Sequence, residues 1–102
     1  MDINVQDLKE RMDKGDGSFV LIDVREPIEH EAYNIGGELI PMGEIPARLE
    51  ELKKHTDDEV VVYCRSGQRS GQIQRYMQSS GFKNVRNLTG GMLAWQENFE
   101  HK

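Results

Sequence analysis

The chain holds one cysteine, Cys64, and it opens the run Cys64-Arg65-Ser66-Gly67-Gln68-Arg69-Ser70. Before it stands Val60-Val61-Val62-Tyr63, three β-branched residues and an aromatic, which read as a strand. After it, Ile73, Tyr76, Met77 and Ser80 share one face at helical spacing. A strand–loop–helix turn of this length can aim successive backbone N–H groups inward and form a concave anion site. The helix N-terminus adds partial positive charge to it. Arg65 and Arg69 add two full charges, and Gly67 admits a backbone conformation that other residues resist. A free cysteine titrates around 8.5, and such surroundings lower it toward roughly 3.5–7.5. The thiolate is the nucleophile, so covalent chemistry is expected at Cys64. A cysteine that ends a strand is also an ordinary core residue; the flanking Arg65, Ser66, Gly67 and Arg69 favour the reactive reading.

Helices and strands alternate on either side of this loop. Asn4 suits an N-cap for a helix bearing Val5, Leu8 and Met12, which Gly15 and Gly17 end. Phe19-Val20-Leu21-Ile22 reads as a buried parallel strand closing on Asp23-Val24-Arg25, and Glu26 to Ala32 as one or two helical turns with Pro27 near their start. Residues 33–44 read as loop with a short strand at Leu39-Ile40. Ala47 to Lys54 are expected to be helical, with Glu50 pairing Lys54. Gly81 suits a C′ position, Val85 to Leu88 a strand, and Thr89-Gly90-Gly91 a turn into a last helix with Met92, Leu93, Trp95 and Phe99. This alternation predicts an α/β domain over residues 1–102, with a mostly parallel central sheet of four to five strands and helices on both faces. In such sheets ligands bind beyond the carboxyl ends of strands, where Asp23, Arg25 and the Cys64 loop fall.

Composition narrows the function classes. In 102 residues of net charge −5, Leu, Ile, Val and Phe make up nearly a quarter, enough for a core and against disorder. Apolar runs reach four or five residues, far below the roughly 20 of a membrane span. The N-terminus shows no secretory pattern and one cysteine forms no internal disulfide, so a cytoplasmic, reducing setting is expected. Residues 60–96 carry Arg65, Arg69, Arg75, Lys83 and Arg86 and no acid, whereas residues 1–59 hold sixteen of the eighteen acids. That asymmetry is either chance clustering on a solvated surface or a local positive field around Cys64 that concentrates a small anion. Five dispersed cations make a poor phosphate track, so nucleic acid is not an expected partner. His30, His55 and His101 lack metal-ligand spacing and read as solvated.

The Cys-Arg-Ser-Gly-x-Arg-Ser run resembles the active-site loop of single-domain rhodaneses, the thiosulfate sulfurtransferases. Leu21-Ile22-Asp23-Val24-Arg25-Glu26-Pro27 and Asn87-Leu88-Thr89-Gly90-Gly91-Met92-Leu93-Ala94-Trp95 are similar to two further signatures of that family, in family order. One departure stands at Tyr33-Asn34-Ile35 and Gly37-Glu38, where many rhodaneses carry Gly-His-Ile and a Gly-Ala pair. The segment before Pro41 is also a residue short, which bears on the pocket rim and on substrate preference.

The resemblance implies a rhodanese-like fold and a two-step sulfur transfer through a Cys64 persulfide, with no metal or organic cofactor. It implies a small anionic sulfur donor such as thiosulfate, and cyanide, a thiol or a protein as acceptor. It assigns catalysis to Cys64, the cradle to Arg65, Ser66, Gly67, Gln68 and Arg69, and donor binding to Arg65. Asp23, Arg25 and Ser70 are expected to support the loop. Arg69 is either a substrate clamp or a partner of Asp23, the second being preferred. A persulfide carrier with little turnover and a redox-regulatory domain using Cys64 are the alternatives. A phosphatase or arsenate reductase is disfavoured, because phosphatase loops place arginine six residues after cysteine and here that place is Ser70.

Overall fold

The computed structural model describes residues 2–100. In chain order the elements are α1 (Val5–Asp13), β1 (Phe19–Asp23), α2 (Pro27–Ala32), β2 (Glu38–Leu39), α3 (Leu49–Leu52), β3 (Glu59–Tyr63), α4 (Gln68–Ser79), β4 (Asn84–Asn87) and α5 (Gly91–Phe99). The Asn4 side chain accepts the Asp7 N–H at 2.8 Å and starts α1, as its N-cap position predicts. The sheet runs β2-β1-β3-β4 with every pair parallel, and Ile3 adds a parallel bridge to Leu88 at its edge.

Strand phase decides where each side chain goes. On β3, Val60 and Val62 point into a core with Ile73 and Met77 of α4 and Leu52 of α3. Val61 and Tyr63 point the other way, against Leu8 of α1 and Met92 and Trp95 of α5. All four strand residues have zero exposure, so each valine contributes roughly 1.5–3 kcal/mol relative to an exposed one. Continuing the alternation, Cys64 falls on the Val60/Val62 face, the α4 side of the sheet. The same parity turns Asp23 toward Tyr63. Trp95 and Phe99 belong to the α1/α5 core, with ring centroids 5.0 Å apart in an edge-on pair.

Several boundaries differ from the periodicity reading. The helix expected over Ala47 to Lys54 is one α turn flanked by 3₁₀ turns at Met42–Glu44 and Lys53–His55. A 3₁₀ turn brings residues three apart into line, so Glu50 pairs with Lys53 at 2.9 Å instead of Lys54. Tyr76 is 37% exposed, because Ile73 and Met77 set the centre of the buried stripe and leave it on the flank. β2 begins one residue before the expected pair, though the Ile40 N–H still reaches the Asp23 carbonyl at 2.9 Å. A Cβ at Gly37 would lie 2.7 Å from a Tyr63 ring carbon, so the buried tyrosine explains the glycine in the shortened segment.

Candidate active site

The cysteine loop leaves β3 and enters α4 within four residues, which places Cys64 Sγ against the first turn of that helix. Gly67, at φ +99°, turns the chain so that its N–H donates to Sγ at 3.1 Å. The Ser70 N–H points at the same sulfur from 3.4 Å, and its hydroxyl oxygen lies 3.3 Å away. Cys64 is 1% exposed, so burial pushes the thiol up. Hydrogen bonds from the Ser70 hydroxyl and from the Ser70, Gly67 and Ser66 amides outweigh that effect and leave it below its ordinary value. Core residue and cradled thiol are therefore the same residue: one side of Cys64 packs in the apolar cluster, the other faces the amides.

A second layer holds the loop in place. Met92 and Leu93 at the start of α5 donate their N–H groups to the Cys64 and Arg65 carbonyls, both at 2.9 Å. This approach requires Gly91, at φ +56°, whose added Cβ would collide with the Cys64 carbonyl and lie 2.7 Å from that of Arg65. From β4, Asn87 Nδ2 donates to the Gly67 carbonyl at 3.0 Å, and its Oδ1 lies 2.5 Å from the Ser70 hydroxyl. The sequence reads Thr89-Gly90-Gly91 as a turn into the last helix, and that turn here meets the loop; the part played by Asn87 has no counterpart in the sequence reading. The legible signal was its place at the carboxyl end of a strand beside the cysteine strand.

The expected pairing of Arg69 with Asp23 is corrected by the structure. Arg69 makes a two-pronged bond to Glu29 of α2, at 2.8 and 2.9 Å. The Arg69 bonds hold Glu29 down to about 2 despite its partial burial. The Glu29 carboxylate also accepts the Glu26 N–H at 3.0 Å, so the α2 N-terminus fixes the clamp. Asp23 is fully buried and is taken by its near neighbours: the Arg25 N–H at 3.0 Å, the Arg25 guanidinium at 2.7 and 2.9 Å, and His30 Nδ1 at 2.8 Å. Burial pushes Asp23 up, but these bonds prevail and keep it below its usual range. Arg25 extends to the Tyr33 carbonyl at 2.7 Å, tying β1 to the segment after α2. His30, expected to be solvated, is a half-buried member of this network, because α2 lies over the end of β1. His55 bonds Asp58 at 2.8 Å; His101 lies outside the described residues.

The positive field is smaller than the cation count implied. Arg69 meets Glu29, Lys83 meets Asp57 and Arg86 meets Glu59, acids contributed by the first 59 residues. Arg65 is exposed at the loop and, among the described residues, forms no ion pair with an acid. Ser66 and Gln68 are also exposed. A polar cleft of about 520 Å³ runs along the outer side of the loop, bordered by Gly67, Gln68, Arg75 and Asn87. A second hollow, about 550 Å³ against α1, is bordered by solvated charges and Phe99 and lies away from the thiol. Among the described residues no helix is long and apolar enough to cross a membrane.

The rhodanese-like domain model matches residues 4–98. A sulfurtransferase of Allochromatium vinosum is 44% identical over 77 residues, covering 74% of this chain and 70% of that protein. The Bacillus subtilis protein named "Putative sulfur carrier protein YrkF" is 39% identical over 95 residues, which is 92% of this chain and half of that longer relative. Among solved structures, the human single-domain sulfurtransferase TSTD1 superposes with a TM-score of 0.76 at 28% identity, covering 94% of this chain and 95% of that one.

Proposed function

The chain belongs to the rhodanese-like domain family, and we propose that it moves a sulfane sulfur from a small anionic donor such as thiosulfate to a thiol or cyanide through a Cys64 persulfide. The observation that carries this reading is the convergence of the Gly67 and Ser70 N–H groups on Sγ, at 3.1 and 3.4 Å. In the first step the Cys64 thiolate attacks the outer sulfur of thiosulfate. The donor S–S bond breaks, its electron pair leaves with sulfite, and the new S–S bond leaves an anionic terminal sulfur on Cys64. In the second step an acceptor thiolate or cyanide attacks that terminal sulfur, and the bonding pair returns to Sγ as thiolate. No redox partner or cofactor enters this balance. The inward amides and the α4 N-terminus stabilise the negative charge through both steps.

Arg65 is assigned to the donor anion, being the exposed cation of the loop that has no acidic partner among the described residues. Arg69 is assigned to loop support through Glu29. A cradle built from so few residues, with its second arginine turned to α2, suits a sulfur anion better than a tetrahedral phosphate. The setting proposed is cytoplasmic, in keeping with a single unpaired thiol. The near burial of Cys64 and the likeness to the YrkF protein favour a second reading, a persulfide carrier loaded by a partner.

Mass measurement after thiosulfate treatment tests the first step: one added sulfur on Cys64 is expected. Cyanide should then release thiocyanate. Cys64→Ser should lose both while still unfolding cooperatively, and retained thiocyanate formation would remove Cys64 from the mechanism. Loading without turnover would favour the carrier.

A further inference from the structure

The Ser70 hydroxyl carries one hydrogen and has two neighbours that can take it. Asn87 Oδ1 is 2.5 Å away and Cys64 Sγ 3.3 Å away. The Asn87 amide cannot turn over to release the hydroxyl, because its nitrogen must face the Gly67 carbonyl at 3.0 Å. We propose that Asn87 is a positioning residue for Cys64: by claiming the Ser70 hydrogen it limits how readily the sulfur ionises, and it favours movement of charge off Sγ. This rests on the reading of Cys64 as the reacting thiol.

With Cys64 protonated, its S–H donates to the Ser70 oxygen and Ser70 donates to Asn87, so every group is satisfied. The ionised sulfur accepts only, and the best geometry turns the Ser70 hydrogen to Sγ, depriving Asn87 Oδ1 of its donor. Ionisation therefore loses a short hydrogen bond that the thiol state keeps. When attack shifts the charge to an outer sulfur, the Ser70 hydrogen returns to Asn87. A thiolate held less tightly is the better nucleophile, since intrinsic reactivity falls with thiol pKa. Meanwhile the bond from Asn87 to Gly67 keeps the loop closed, so that its amides stay on target.

Other charges around the thiol are Arg65 and Arg69 on its own loop, Glu29 of α2 behind Arg69, and the Asp23, Arg25 and His30 network at the end of neighbouring β1. From β4 and α5 the nearest groups are Asn87, Gly91 and Met92, all uncharged, while Asp2, which accepts the Asn87 N–H at 3.4 Å, and Arg75 of α4 border the cleft outside the loop. Asn87 is thus the polar side chain from those two elements that reaches the loop.

The test is the rate of Cys64 alkylation by iodoacetamide as a function of pH, on the full chain, whose sole thiol makes the readout specific. Asn87→Ala should lower the midpoint by about half to one pH unit, the order of one hydrogen bond between neutral groups. Ser70→Ala should raise it, and the double variant should coincide with Ser70→Ala. An unmoved or raised midpoint in Asn87→Ala, or an equal drop in both Ser70 backgrounds, would overturn the proposal. If thermal melting shows that Asn87→Ala does not fold, Asn87→Asp serves in its place, because it keeps an acceptor toward Ser70. Its midpoint should rise, more with Ser70 present than absent, and an equal rise in both backgrounds would overturn the proposal. Alkylation needs no sulfur donor. A protein that alkylates as expected yet never gains sulfur would sink the transfer reading and leave the role of Asn87 standing.

Discussion

Replacing Glu29 with Gln removes one charge from the bond that ties the cysteine loop to α2, while keeping the side chain's size. The structure sets the magnitude. The Arg69 bonds hold Glu29 at about 2 against an ordinary 4.5, which at about 1.4 kcal/mol per pH unit sets a ceiling of about 3 kcal/mol. The Glu29 and Arg69 side chains are still 27% and 33% exposed, so water screens the pair. A loss of about 1–2 kcal/mol is the reasonable expectation, between an exposed pair and a buried one. The sign with pH follows from the lowered value. The stabilisation is complete above the ordinary carboxylate range and disappears as pH falls through about 2. Urea unfolding of both proteins from pH 7 to pH 3 should therefore show a full gap near neutrality that has lost roughly half by pH 3. Thiosulfate turnover should fall in parallel, since Arg69 directly precedes Ser70. A stability gap that stays constant down to pH 3, or no gap at pH 7, would refute the clamp.

Three further changes probe other parts of the support. Gly91→Ala puts a methyl group into the Cys64 and Arg65 carbonyls at a positive φ; a loss of about 2–4 kcal/mol in chemical unfolding is expected, and a loss below half a kcal/mol would mean the close approach is not required. Asp23→Ala strands the Arg25 guanidinium, whose side chain is 6% exposed, and should cost about 3–5 kcal/mol at pH 7. Because Asp23 sits below its usual range, that penalty should shrink as the medium is acidified, and a penalty that grows instead would refute the assignment. Arg65→Ala should raise KM for thiosulfate by about tenfold, the effect of one charge-assisted contact, with melting temperature unchanged; an unaltered KM would free Arg65 from donor binding.

Much of this protein is legible in its sequence. The apolar stretch Val60–Tyr63, three β-branched residues and an aromatic, reads as a strand, and the glycine and polar residues after Cys64 read as a turn into a helix. The alternation of strand and helix then leaves a parallel sheet with the loop at its carboxyl edge, because parallel strands need crossovers and those crossovers pack on the faces. Local signals of this kind are read from a few neighbouring residues, and so they survive in the sequence.

The partners of the charged groups were not legible, because they depend on which elements the fold brings together. Asp23 and Arg69 both look like loop supports, and pairing them is the economical guess from the chain. Asp23, however, has Arg25 two residues away on the same strand end, within a bond's reach and equally buried. That local partner satisfies it first, and Arg69 takes Glu29, 40 residues distant in sequence, because α2 passes beside the start of α4. Asn87 reaches Ser70 across 17 residues for a similar reason: β4 lies beside β3, in a register that sets Asn87 opposite Val62, just short of Cys64. Sequence determined that a thiol would sit at a strand–helix turn with glycine and arginine around it. Tertiary structure decided which atoms hold that turn, since a buried polar group takes whatever partner the packed chain puts within about 3 Å of it, regardless of separation along the chain.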